Sequence, residues 1–199
     1  MEGPSHVVFG LAGAVVLDST LHLSGPAILG APTLPTPDQV ALKVIFYGVA
    51  ALGALVPDID NARSTLGRHL GVVSRQIQKH AGHRTIFHSL VGLALAGAVV
   101  FAAEWGVAYL FQRLGWRLTA GALVGQVALV ALLVGYGLHL VADSLTVGGV
   151  PWLWPLHQRF GFPPKRSWRF RSGSWMEPVV VVAISVAVIL GLYTRVLVI

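Results

Sequence analysis

The chain has 199 residues, 55% of them hydrophobic and only 11% charged, with a mean hydropathy of +0.73. A soluble domain carries about 25% charged residues because its surface meets water, so this composition excludes a soluble globular protein and implies a surface that faces lipid. Cysteine is absent, which excludes disulfides and thiolate metal sites and leaves nitrogen and oxygen as ligands for any metal, and the net charge of +6 fits basic cytoplasmic loops better than nucleic-acid binding.

A helix needs roughly 20 apolar residues to cross a hydrocarbon core of about 30 Å. The first apolar stretch, His6 to Leu17, is short for that and reads as a re-entrant helix, a partial span or a signal h-region. No lysine or arginine precedes it and no A-x-A pattern follows, which argues against a signal peptide. Ser24 to Asp38, with four prolines, reads as an extended loop. Val40 to Val56 spans if Lys43 snorkels. Ile86 to Phe111, Thr119 to Val141 and Pro178 to Val198 are full-length spans. The expectation is an all-α, polytopic membrane helix bundle of four to five transmembrane or membrane-embedded helices, one domain over 1–199 without internal repeats.

Each span carries the chain to the opposite face, which places the chemistry. If the first segment leaves one face at His6, the second returns to it at Asp58 and Asp60, the third departs from His83 and His88, and the fourth returns at His139 and Asp143. All seven metal-competent side chains then share a face. That face also receives loops 61–84 and 144–176, with Arg63, Arg68, Arg75, Lys79, Arg84, Arg159, Lys165, Arg166, Arg169 and Arg171. The positive-inside rule makes it cytoplasmic in a multi-pass inner or plasma membrane protein.

His139 and Asp143 lie one helical turn apart on one face, a spacing that chelates a metal and also suits a plain histidine–aspartate hydrogen bond. Asp58 and Asp60 follow a helix that Pro57 helps to terminate, as ligands or as a solvated turn. His83 and His88 bracket Arg84, whose planar guanidinium suits phosphate or carboxylate. So many ionisable groups at membrane depth cost several kcal/mol each without compensation, and a divalent cation supplies it. Imidazole and carboxylate ligands favour zinc, with manganese or iron as alternatives. Five to seven ligands suit two ions better than one, bridged by an aspartate. His6, Asp58, His83, His88, His139 and Asp143 are the expected ligands, with Asp60 bridging two ions or acting as base or supporting group. Arg84 would hold an anionic group, and Ser89, Ser144 and Thr146 would orient ligands or cap helices. Glu177 reads chiefly as a partner of the last helix's dipole.

The run Leu55-Val-Pro-Asp-Ile-Asp60, the pairs His83-Arg84 and His88-Ser89, the stretch His139-Leu-Val-Ala-Asp143-Ser-Leu-Thr146, Gly149-Val-Pro-Trp-Leu-Trp-Pro155 and Arg171-Ser-Gly-Ser-Trp-Met-Glu177, with His6, resemble the YdjM-type family of inner-membrane proteins, read as metal-dependent hydrolases. Ser5 and Thr85-Ile-Phe87 depart from its pattern, while the ligand positions agree. The family is similar, more remotely, to zinc-dependent phospholipases C and single-strand nucleases, which implies phosphoester hydrolysis by metal-activated water. A phospholipid or other phosphoester is then the expected substrate. Trp152, Trp154, Trp168 and Trp175, set among basic residues, suit interfacial anchoring or lipid headgroups, and single-stranded nucleic acid ranks last. The competing readings are a non-catalytic scaffold or regulator with a structural metal and an ion-coupled transporter, whose sites would sit nearer mid-membrane.

Overall fold

The computed structural model describes residues 1–24, 36–81, 84–115 and 119–197. Seven α-helices carry the architecture: α1 (Gly3–Leu21), α2 (Thr36–Gly53), α3 (Thr65–Leu70), α4 (Val72–Ala81), α5 (Leu90–Arg113), α6 (Thr119–Ser144) and α7 (Met176–Leu197). Short 3-10 turns cover Val56–Asp60, Ile86–His88 and Arg166–Trp168. Among the described residues there is no β-strand, only the isolated bridges Thr146 to Phe170 and Val150 to Phe160 within the loop before α7.

Four segments are long and apolar enough to cross a membrane: Gly3–Leu21, Pro37–Asp60, Leu90–Arg113 and Gly121–Ser144, with a shorter apolar helix over Met176–Leu192. Their outward faces carry Val99, Phe101, Trp105, Val182 and Ile189, all exposed, as a lipid-facing surface requires.

Helix α6 is the centre of the bundle, packing against α1, α2 and α5, while α1 also packs against α2 and α7. Small residues set the approach, because lipid-embedded helices associate through close van der Waals contact rather than hydrophobic exclusion. Ala14, Ala50 and Ala131 are fully buried together with Phe46 and Val127. A Cβ on Gly53 would lie 2.5 Å from the Leu132 carbonyl oxygen, and one on Gly135 would collide with the carbonyl of Ala50. The α2 and α6 backbones therefore touch, one to two turns before His139.

Three expectations are corrected here. The first stretch is longer than His6 to Leu17: the helix starts at Gly3 with Pro4 in its first turn and passes through Asp18. That carboxylate does not end the helix because it accepts from Ser24 N at 2.7 Å, Ser24 Oγ at 2.8 Å and Tyr47 Oη at 2.8 Å. The loop expected over Ser24 to Asp38 yields to helix at Thr36, since proline is favoured in a first turn, and 25–35 lie outside the described residues. Loop 61–84 contains α3 and α4, held to the Asp58 turn by Ser64 Oγ donating to Asp58 O at 2.8 Å and Ser74 Oγ donating to Ile59 O at 2.7 Å.

Candidate metal centre

The start of α1, the turn after α2, the turn before α5 and the last turns of α6 meet at one end of the bundle. There His6, Asp58, Asp60, His88, His139 and Asp143 are all buried. His83 lies outside the described residues. The parity of the spans thus brings together the remaining six expected ligands.

His139 and Asp143 project from the same face of α6 because four residues make about one turn. The His139 Nδ1 lies 2.7 Å from the Ala54 carbonyl oxygen, an acceptor only, so a neutral ring carries its proton there and turns the Nε2 lone pair inward. The His88 Nδ1 lies 3.2 Å from Asp60 Oδ2, an ion-pair contact short of hydrogen-bond geometry, and its Nε2 faces His139 Nε2 at 3.3 Å, within hydrogen-bonding range. The His6 ring stacks on His139, with centroids 3.6 Å apart and planes 12° from parallel. Both His6 nitrogens are buried without a hydrogen bond, although Nε2 lies 3.4 Å from Asp143 Oδ1.

The carboxylates close the cluster. Asp143 Oδ2 lies 2.9 Å from Arg84 Nη2, 3.6 Å from His88 Nε2 and 4.0 Å from His139 Nε2, and Oδ1 meets the Met1 amino group. Asp58 Oδ1 lies 3.8 Å from His88 Nε2. Asp60 Oδ2 also accepts from the Arg84 backbone N at 3.0 Å. Arg84 holds a left-handed φ of 55°, uncommon for a residue with a Cβ, and its guanidinium packs where a Cβ on Gly148 would be.

Three overlapping triads can each present one ligand atom apiece within 4.8 Å of one another: His6, Asp58 and His139; His88, His139 and Asp143; and Asp58, Asp60 and His88. The donor set fits a divalent cation bound by nitrogen and oxygen. Two inward lone pairs on His88 and His139, and a buried His6 ring without hydrogen bonds, are repulsive or unsatisfied arrangements that a bound cation relieves.

The supporting residues are placed more modestly. Ser89 Oγ accepts from Gly92 N at 3.2 Å and caps α5. Tyr136 Oη donates to Phe87 O at 2.5 Å and holds the turn that carries His88. Ser144 Oγ donates to Leu140 O at 2.8 Å and accepts from Trp152 Nε1 at 3.0 Å, and Thr146 Oγ1 donates to Asp143 O at 2.8 Å. Glu177 is fully buried and accepts from Glu2 N at 2.6 Å and Gly173 N at 2.8 Å, so it ties the start of α1 to α7. Trp168 and Trp175 are exposed, while Trp152 is half-buried.

Sequence reasoning missed two features. One is the Asp18, Ser24 and Tyr47 cluster, since nothing in one chain's spacing pairs α1 with α2. The other is a cavity of about 340 Å³ opening on Asp58 and walled by Asn61, Arg63, Ser64, Thr65 and Arg68. Arg63 and Arg68 were legible only as loop charges.

Apolar spanning helices that gather imidazoles and carboxylates in a buried cluster define a polytopic membrane protein with a candidate metal centre. The profile of the family described as YdjM inner membrane protein matches residues 1–198, and the chain belongs to that family. It is 41% identical over 114 residues to the inner membrane protein YdjM of Escherichia coli (strain K12), a match covering 57% of this chain and 51% of the relative, and equally so to YdjM of Shigella flexneri. The alignment thus spans about half the length of those relatives. The uncharacterized protein YvsG of Bacillus subtilis (strain 168) is 27% identical over 144 residues, covering 72% of this chain and 76% of the relative. No solved structure matches the chain significantly.

Proposed function

We propose that this protein is a membrane-bound, metal-dependent hydrolase of the inner membrane acting on a phosphoester or lipid-linked substrate, with the basic, metal-bearing end on the cytoplasmic side. The observation that carries the reading is the pair of His88 and His139 lone pairs converging at 3.3 Å beside the Asp143 carboxylate. His6, Asp58, His88, His139 and Asp143 would hold one or two divalent ions, zinc first and manganese or iron otherwise. Such an ion makes water a nucleophile near neutral pH and stabilises developing negative charge.

The chain's own groups do the rest. Ala54 O and Asp60 fix the ring orientations of His139 and His88. Asp58 also lines the polar cavity, so a substrate entering there meets Asp58 before Asp60. Asp60 would act as a base or as a further ligand only if its contacts to His88 and Arg84 yielded. Arg84 balances Asp143 and borders the site as a cation for an anionic group.

The test is hydrolysis of a panel of phosphomonoesters, phosphodiesters and phospholipids by detergent-purified protein loaded in turn with zinc, manganese and iron. Turnover that His139→Ala abolishes supports the reading. Stoichiometric metal with no turnover across the panel would favour a structural metal in a scaffold.

A further inference from the structure

The 3-10 turn Val56–Asp60 presents different residues to different surroundings, because three residues complete one turn and positions 56 and 59 share a face. Val56 and Ile59 line an apolar cavity against α5 and α6, whereas Asp58 lines the polar cavity of about 340 Å³. The rest of the polar cavity's lining is Asn61, Arg63, Ser64, Thr65 and Arg68, together with the start of α1 from Met1 to Pro4, which includes Glu2. That wall is built rather than draped. Ser64 Oγ accepts from Gly67 N at 2.9 Å and donates to Asp58 O, while Gly67 sits so close that a Cβ there would lie 2.8 Å from Ser74 Oγ.

Arg63 and Arg68 bring two permanent positive charges to this cavity. Arg68 Nη1 donates to Arg63 O at 3.2 Å, which holds the two together. Among the described residues neither guanidinium is in an ion pair, in contrast to Arg84, whose charge Asp143 already engages. The two guanidinium forks, the Thr65 hydroxyl and the Asn61 amide offer donors to this lining, the Ser64 proton being already given to Asp58 O, and Asp58 of the candidate metal cluster lines the same cavity. A tetrahedral oxyanion uses such donors on one side and a cation on the other.

We propose that this cavity binds the phosphate group of the substrate and that Arg63 and Arg68 recognise it. The inference rests on the metal reading in one respect: Asp58, with Glu2 on the same lining, repels an anion unless a cation offsets the carboxylate charge beside it. A phosphate monoester or diester is the shared chemistry, whether carried by a lipid headgroup or free in solution.

The experiment uses the full chain, with metal content measured on every sample. One arm titrates inorganic phosphate into detergent-solubilised protein by calorimetry. The other compares binding to nanodiscs of phosphatidylcholine with and without phosphatidic acid. Arg63→Ala with Arg68→Ala should weaken phosphate binding by tenfold or more at unchanged metal content. Arg63→Lys with Arg68→Lys should restore part of the loss, which guards against misfolding. Arg75→Ala with Lys79→Ala, an equal charge change on α4 away from the cavity, should leave binding unchanged. Binding in the nanodisc arm alone assigns the phosphate to a lipid, and binding in the detergent arm alone to a soluble compound. Equal affinity of wild type and the double alanine variant, or no phosphate binding by metal-loaded wild type in either arm, overturns the inference and leaves the metal centre standing. Arginine-dependent binding by protein that carries no metal supports the cavity and overturns its dependence on a cation beside Asp58.

Discussion

His88 and His139 face each other Nε2 to Nε2 across 3.3 Å, with the His139 Nδ1 held from behind by the Ala54 carbonyl and the His88 Nδ1 within 3.2 Å of Asp60 Oδ2. When both neutral rings carry their proton on Nδ1, both inward nitrogens present lone pairs, and a shared proton or cation between them makes the contact favourable. Residues from four separate segments of the chain converge on this point.

Metal content should depend on the α6 pair. His139→Ala with Asp143→Ala removes members of two of the three ligand triads, leaving only Asp58, Asp60 and His88 together. Elemental analysis of purified protein should show near-stoichiometric zinc, manganese or iron in wild type and less than about a tenth of it in the variant, since chelate affinity falls steeply with ligand number. Equal metal in both would remove these residues from the ligand set.

Asp60→Asn should weaken metal binding without unfolding the protein. The amide keeps the size but gives up the charge that orients His88 from 3.2 Å, and supporting partners of this kind are worth about 10- to 100-fold in affinity. Competition with a chromogenic chelator measures it. A smaller effect than that of His88→Ala, with an unchanged circular dichroism spectrum, is expected.

Gly53→Ala should destabilise the bundle by about 1–3 kcal/mol, the ordinary cost of forcing a methyl into a filled interface. The added Cβ meets the Leu132 carbonyl oxygen at 2.5 Å and pushes α2 from α6. Because Ala54, the next residue, supplies the carbonyl that holds His139, metal affinity should fall with the melting temperature. A stability loss at full metal affinity would show that α2 is not a positioning element.

Tyr47→Phe tests the opposite end. It deletes one of the three hydrogen bonds that Asp18 accepts among the described residues and should cost about 1–3 kcal/mol in thermal unfolding, the ordinary cost of leaving a buried polar group short of a partner. Metal content should stay at the wild-type level. A loss of metal here would mean that the two ends of the bundle are coupled.

Removing the metal should itself lower stability. A ligand bound only by the folded state contributes about 2.7 kcal/mol at a hundred times its Kd. Dialysis against a chelator should therefore lower the melting temperature of wild type and leave that of the His139→Ala, Asp143→Ala variant unmoved.

Composition alone determined the environment: 11% charge over 199 residues cannot cover a water-facing surface, and the runs behind α2, α5, α6 and α7 were legible by length and hydropathy. Counting spans also determined that His6, Asp58, Asp60, His88, His139 and Asp143 share an end, because every crossing reverses direction. Tertiary structure decided the rest, since it depends on contacts between residues far apart in the chain. It extended α1 to Gly3 and past Asp18, whose carboxylate accepts hydrogen bonds from Ser24 and Tyr47. It folded 61–81 into α3 and α4 against the Asp58 turn, which turned Arg63 and Arg68 from loop charges into the wall of a cavity. It gave Glu177 its place between Glu2 and Gly173, and it aimed the His88 and His139 rings, whose orientation is set by Asp60 and by a carbonyl 85 residues from its histidine. Hydropathy is a property of each segment and so is written locally, whereas ring orientation and charge pairing arise only when segments pack.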